Sequence, residues 1–350
     1  MNKVAIIGTT TWGITLAIVL ARKGISVRLW ARTEEEACQL AQGETGKDKL
    51  AGVTFPENVN ITSSIEEALD SVGAVVMVVP SQTMRQNIKL VRAHLSDSVL
   101  VVSASKGIEI ETGQRMSEVI SEEIDPLFRS NICVLSGPNL YAEVLQDLPA
   151  VSVVAGFSNA VVKKAQKLLN APNFCVYTNS DIIGVELGGS LKNIIALGAG
   201  MVDGLGYGDN AKAALITRGL TEISALGVAL GASPFTFSGL AGLGDLVATC
   251  ASPLSRNHYV GEELAKGRDL QEILASLDNV AEGVTTTVAA WKLAKKLGLE
   301  MPITEKIYNV LYDGVEPGEI IVKLLGARGR HELVGRKWRL FSIFRRVKKK

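Results

Sequence analysis

Histidine and cysteine are scarce in this chain of 350 residues, with three and four copies. His94, His258 and His331 make no H-E-x-x-H pair and no other ligand cluster, which argues against a protein-bound metal. Cys38, Cys133, Cys175 and Cys250 lie far apart in apolar or helical surroundings, without the paired spacing of a zinc site or redox motif. They read as reduced packing residues. An excess of one charge is also lacking. The 37 Lys and Arg face 36 Asp and Glu, a net charge of +1, which suits neither a nucleic-acid binder nor a disordered chain. No uncharged apolar run reaches the roughly 18 residues of a membrane span. The chain opens directly into a strand, so no signal peptide is expected. These absences together predict a soluble, cytoplasmic protein.

What is present is apolar bulk and a strong alternation of element types. With 47% apolar residues and a length beyond the roughly 250–300 residues at which single cores stop growing, two domains are expected. Val4–Ile7, Ser26–Trp30, Ala74–Val79, Val99–Ser103, Ile132–Leu135, Val151–Ala155 and Phe174–Tyr177 read as strands. Most lack polar alternation, as parallel strands covered on both faces should. Helical stretches such as Thr15–Lys23 and Glu34–Gln42 lie between them, the second opened by a T-x-x-E capping box at Thr33 and Glu36. Repeated β-α units imply a doubly wound, Rossmann-type α/β sheet. Beyond about residue 180 the strand signal stops. Asp181–Gly204, Ala211–Leu226, Gly244–Ala251, Tyr259–Lys266, Thr285–Leu297 and Thr304–Tyr312 read as helices of an all-α second domain. The expected divisions are 1–180, 181–335 and a tail at 336–350.

The turn after the first strand is "GTTTWG", residues 8–13. Gly8 and Gly13 hold the first and third places of G-x-G-x-x-G, but Thr10 stands where the backbone should meet a pyrophosphate. By itself the hexapeptide is equally an ordinary β-α turn. Its context, after a first strand and at the mouth of a helix, favours a dinucleotide. About 20 residues on, where an acid would meet an NAD ribose and an arginine an NADP phosphate, the candidate is Arg32. Arg32 also reads as a solvated surface residue, and Glu34, Glu35 and Glu36 would disfavour a phosphate if they pointed inward.

Polar residues in apolar settings mark the chemical end. Lys192 lies in "GVELGGSLKNIIALGAGMVDGLG", a stretch apolar on most sides. There it is either a snorkelling side chain or an amine whose desolvation and cationic neighbours would bring it toward acid-base range. Lys106 follows the strand Val99–Ser103, at the end where open α/β sheets bind ligands, or is a loop charge. Asp245 reads as a helix cap as well as a site carboxylate. Ser255, Arg256 and Asn257 make a polar fork suited to phosphate, or a solvated turn after Pro253.

The stretches "SASKGI" at 103–108, "SGPN" at 136–139, "GGSLKNIIALGAG" at 188–200 and "GLAGLGDLVATCASPLSRN" at 239–257, with "WG" at 12–13 and "EGVTTT" at 282–287, resemble the NAD(P)-dependent glycerol-3-phosphate dehydrogenases of bacteria. The resemblance runs in order from residue 1 to about 330. It implies reversible reduction of dihydroxyacetone phosphate to sn-glycerol 3-phosphate with NADP or NAD, by direct hydride transfer without a metal, supplying glycerophospholipid synthesis. It makes Lys192 the general acid-base and places Lys106 against substrate and cofactor. Asp245, Ser255, Arg256 and Asn257 fall to the substrate, with Arg256 also near the cofactor. Thr11, Trp12, Gly137, Val280 and Glu282 are assigned to the cofactor, with Gly137 also counted among the substrate contacts. The chain departs from the family at Thr10 and at Tyr141, which stands where a small residue would border the cofactor. Two rivals use the same residues. A related reductase of another 2-keto or β-hydroxy substrate is opposed by the phosphate fork. A non-catalytic nucleotide-sensing protein is opposed by the retained Lys106 and Lys192. The sequence leaves oligomeric state open, a homodimer included.

The last 15 residues, "RKWRLFSIFRRVKKK", lie beyond the resemblance and carry eight Lys and Arg with no acid, so that residues 1–335 hold −7 against the chain's +1. On a helical wheel Leu340, Phe341, Ile343, Phe344 and Val347 share one side, while Arg339, Arg345, Arg346 and Lys349 share the other. That pattern is one of an interfacial helix, to which each basic residue near an anionic surface adds about 1 kcal/mol. Weak, salt-sensitive co-sedimentation with anionic vesicles is expected for the full chain and not for one ending at Gly335. Equal pelleting of the two would discard the membrane contact.

Overall fold

The computed structural model describes residues 2–43, 50, 53–96, 98–277 and 279–320; the tail at 336–350 lies outside them. The first 180 residues build one eight-stranded sheet: β1 Lys3–Ile7, β2 Ser26–Trp30, β3 Val59–Thr62, β4 Ala74–Met77, β5 Leu100–Ser103, β6 Ile132–Ser136, β7 Ala150–Gly156 and β8 Phe174–Asn179. Their spatial order is β3-β2-β1-β4-β5-β6-β7-β8. The lack of polar alternation has a direct cause in β1. Val4 and Ile6 enter a core beneath the first helix, Thr11–Arg22, while Ala5 and Ile7 enter a second core on the opposite face. Both faces are covered, so both sets of side chains are apolar.

Two features depart from the expectation. The strand β3, V-N-I-T, was not anticipated; it pairs only with β2, at the sheet edge, and leaves Asn60 exposed, so its composition carries little signal. The sheet is also not wholly parallel. Pairs from β3 to β6 are parallel, but β7 runs antiparallel to β6 and β8 follows β7. The connection from β6 therefore stays at the carboxyl end of the sheet. It places Gly137, Asn139 and Tyr141 on the same side as the ends of β1, β4 and β5.

The helical part is organised around Ile182–Gly204, in which all but three residues are buried. By length and composition this helix could cross a membrane, but 94% of its apolar window is buried within the fold. It is a core helix, wrapped by Gly208–Ala229, Asp245–Ala251, Arg256–Ala265, Glu282–Leu297 and Pro302–Tyr312. The short helices Pro234–Phe237 and Leu270–Ala275 were not anticipated. The helix expected at Tyr259–Lys266 begins three residues earlier, because the Ser255 hydroxyl caps it by accepting from the His258 N–H at 3.2 Å. Arg256 and Asn257 are thus helical residues, not members of a loose turn.

Glycine sets how near this helix comes to the central one. A Cβ at Gly200 would lie 1.9 Å from the His258 carbonyl oxygen, and one at Gly261 would lie 1.9 Å from that of Leu197. The two backbones touch, which fixes Arg256 and Asn257 beside Lys192 and Asn193. Gly261→Ala should force the helices apart and lower stability by roughly 1–3 kcal/mol, the usual range for overpacking. Chemical denaturation of the variant measures this; an unchanged midpoint would mean that the crossing is not tight.

Candidate active site

The order β3-β2-β1-β4-β5-β6 reverses direction between β1 and β4, and open sheets bind ligands in the crevice at such a point. Here the crevice is an open cleft of about 940 Å³ that runs from the end of β2 across the glycine turn to the central helix. Of the expected residues, Gly8, Thr10, Thr11, Trp12, Arg32, Lys106, Tyr141, Lys192, Ser255, Arg256, Asn257, Val280 and Glu282 line it. Gly13, Gly137 and Asp245 stand just behind its wall.

At the cofactor end, Gly8 has φ +115° and a Cβ there would lie 2.5 Å from the Val78 carbonyl oxygen. A Cβ at Gly13 would lie 2.2 Å from the Gly8 carbonyl oxygen. These are the tight turn and the close helix-strand contact that a dinucleotide site requires. Thr10 occupies the middle place without obstruction. Its backbone is extended, its hydroxyl donates to the Val78 carbonyl at 3.0 Å, and it accepts from the Gly13 N–H at 3.1 Å. The threonine is therefore the helix cap, not a wall against phosphate. With the Gly13 and Ile14 amides satisfied by Thr10, those of Thr11 and Trp12 remain at the helix start, where an anion is favoured. The Thr11 hydroxyl is buried beside them and has no hydrogen-bond partner among the described residues. This orphaned donor and the glycine-lined turn fit a dinucleotide phosphate. Trp12 is held edge-on to Phe174, with ring centroids 6.0 Å apart.

At the other end one carboxylate organises the site. Asp245 is not the cap expected of it. Gly244 takes that place, and Asp245, 1% exposed, directs both oxygens inward. Lys106 donates to Oδ2 at 2.6 Å and to the Gly137 carbonyl at 3.0 Å. Lys192 donates to Oδ1 at 2.6 Å and also to the Thr249 hydroxyl. Burial pulls the Lys106 amine down to about 8, helped by the neighbouring Lys192 and opposed by Asp245. Thr249 was not singled out from sequence. It sits one helical turn after Asp245, and that spacing was its only local signal.

Arg256 has no hydrogen-bond or ion-pair partner among the described residues. Burial depresses its pKa, against the attraction of Glu282 and Tyr141. Asn257 is partly committed: its amide donates to the Asn193 side-chain oxygen at 3.0 Å, and its own oxygen accepts from the Gly283 N–H at 2.8 Å. Asn193, next to Lys192 on the central helix, thus serves to orient Asn257. Ser255 retains its hydroxyl donor after capping, so the expected phosphate fork reduces to a free guanidinium flanked by single donors. Glu282 accepts from the N–H of Ser81 at 2.8 Å and from its hydroxyl, and burial raises its carboxyl. Burial likewise raises the Tyr141 phenol. Val280 lies half-exposed at the rim.

A dinucleotide crevice at a strand-order reversal, bordered by a helical unit that sets Lys192 beside Lys106 and adds an arginine with no ion-pair partner among the described residues, defines a two-part nicotinamide-dependent oxidoreductase. A family model described as the NAD-dependent glycerol-3-phosphate dehydrogenase N-terminus matches residues 3–162, and one described as its C-terminus matches residues 181–322. The chain belongs to the NAD-dependent glycerol-3-phosphate dehydrogenase family. It is 62% identical over 347 residues to glycerol-3-phosphate dehydrogenase [NAD(P)+] of Dehalococcoides mccartyi, covering 99% of this chain and 97% of that one. It is 45% identical over 330 residues to the enzyme of the same name from Chlorobium limicola, covering 94% and 99%. Among solved structures, glycerol-3-phosphate dehydrogenase from Coxiella burnetii superposes with a TM-score of 0.86 at 35% identity, covering 93% of this chain and 98% of that one.

Thr10→Ala removes the helix cap and should lower stability by about 1 kcal/mol. Nicotinamide dinucleotide affinity should change little, because the hydroxyl is spent within the protein. Calorimetric titration beside a denaturation curve checks both; a large loss of affinity would make the hydroxyl a phosphate ligand.

Proposed function

We propose that the chain catalyses the reversible NAD(P)H-dependent reduction of dihydroxyacetone phosphate to sn-glycerol 3-phosphate, with its residues in the roles that follow. The observation that carries the reading is the pair Lys106 and Lys192 on opposite oxygens of one buried Asp245, in the same cleft as Arg256, which has no ion-pair partner among the described residues. When bound, the nicotinamide supplies the hydride in reduction and receives it in oxidation. Lys192 gives its proton to the substrate carbonyl oxygen, and as the amine takes the hydroxyl proton in the reverse direction. Asp245 and Thr249 hold that Nζ in place, and Lys106 turns a second cation toward the substrate. Arg256 meets the phosphate, assisted by the Ser255 hydroxyl and the remaining Asn257 amide hydrogen. Lys192 and Asp245 are themselves buried, which strengthens the charge interaction between them.

The division of labour is between residues 1–180, which hold the dinucleotide, and 181–335, which bring the acid-base and phosphate groups, with 336–350 as an appendage. The product would feed glycerophospholipid synthesis in the cytoplasm. The decisive assay follows NADH and NADPH absorbance with dihydroxyacetone phosphate and with a panel of keto acids. Oxidation that depends on the phosphorylated ketone supports the assignment; oxidation only with a keto acid replaces it.

Lys192→Ala should reduce turnover by about 10²–10⁴-fold, the usual contribution of a general acid-base group, while cofactor affinity measured by titration stays close to normal. Near-normal turnover would remove Lys192 from the chemistry. Arg256→Ala should raise KM for dihydroxyacetone phosphate far more than for unphosphorylated dihydroxyacetone. Equal losses with both ketones would show that the guanidinium does not meet the phosphate.

A further inference from the structure

Beyond the glycine turn the cleft continues to Glu36, which the capping-box pattern assigns to the backbone of Thr33. Only half of that box forms. The Thr33 hydroxyl accepts from the Glu36 N–H at 3.2 Å, but the Glu36 carboxylate turns away from Thr33 toward the cleft. One of its oxygens accepts from the Arg32 backbone N–H at 2.9 Å, and the other accepts from the Thr9 hydroxyl. Arg32, Gln39 and Leu40 line the cleft with it. In a sheet of this order, the end of the second strand is where a dinucleotide carries its adenosine ribose.

The carboxylate is partly buried and held at both oxygens, whereas the Arg32 side chain is exposed. This asymmetry decides which charge governs the ligand. An ionised carboxylate offers about four lone-pair positions, so after two are used it can still accept from ribose hydroxyls. A 2′-phosphate has no comparable donor and brings nearly two negative charges against a group that cannot swing aside. The attraction of Arg32 comes from a long side chain in water, where salt screens it and side-chain entropy opposes it.

We propose that Glu36 is the specificity-determining residue of the cofactor site, accepting from the adenosine ribose diol and selecting NADH over NADPH. The inference rests on the proposed dehydrogenase activity only for the class of ligand, and it reverses the expectation that Arg32 favours NADP.

The test is calorimetric titration of the full-length chain, Glu36→Gln and Glu36→Ser with NADH and with NADPH, with melting temperatures to verify folding. The unaltered chain should bind NADH about tenfold or more tightly than NADPH, in line with the cost of opposing like charges in a fixed site. Either substitution should narrow the ratio, chiefly by tightening NADPH, and Arg32→Ala should weaken NADPH further. Equal or tighter binding of NADPH by the unaltered chain overturns the proposal, as does an unchanged ratio in both Glu36 variants. Binding of neither dinucleotide overturns the enzymatic reading along with it. Normal binding without oxidation by dihydroxyacetone phosphate overturns that reading alone.

Discussion

The ion triad Lys106–Asp245–Lys192 is the interaction on which the rest of this structure depends. Lys106 belongs to the loop after β5 and Lys192 to the central helix, and each takes one oxygen of the same carboxylate. Removing the carboxylate would leave two lysines facing each other with little water, a situation that costs roughly 3–5 kcal/mol in buried pairs. The same logic recurs at the join between the two halves. Glu186 of the central helix accepts from Arg115 and from the Ser117 amide at the start of Met116–Glu123. Glu282 grips Ser81 in the loop after β4. In all three ties an acid on the helical side meets donors on the sheet side, and the cleft lies among them.

Placement of the chemical groups then follows from backbone contact, not from long side chains. The central helix can approach Arg256–Ala265 only because Gly200 and Gly261 face each other's partner carbonyls. At that separation Asn193 reaches Asn257, and Asn257 in turn holds the first turn of Glu282–Leu297 through Gly283. Arg256 is the neighbour of a residue pinned on two sides, so its guanidinium is delivered to the cleft with no hydrogen-bond partner among the described residues. Preorganisation of this kind keeps the guanidinium from collapsing onto a protein carboxylate.

The cofactor end shows how a substitution in a familiar turn can be absorbed. A glycine at position 10 would offer space; Thr10 offers a hydroxyl that caps the helix and ties it to the loop after β4. The turn keeps the steric requirement at Gly8 and Gly13, where a Cβ would collide with backbone, and relaxes it where the side chain can point away from the ligand. Glu36 completes this end by presenting charge from the second helix. The anion-favouring helix start and the anion-disfavouring carboxylate therefore lie side by side, the carboxylate accepting from Thr9 two residues before the helix begins.

Sequence alone determined the class of fold and the glycine turn, which follow from local periodicity and turn sterics, and the motifs that hold Lys106, Lys192, Asp245 and Arg256, which follow from the family resemblance. It also marked Lys192 as an anomaly, since a lysine in the middle of an apolar helix needs a reason. Tertiary structure alone decided the rest. The edge strand β3 and the reversal at β7 depend on which neighbours a strand finds, which a four-residue or seven-residue run does not encode. Glu36 fits a capping box by spacing, yet its carboxylate meets Thr9 from 27 residues away. Asp245 reads as a helix cap until its partners arrive from 53 and 139 residues upstream. Spacing along a chain specifies which face a side chain takes, whereas the charge it meets there is set by segments that only folding brings together.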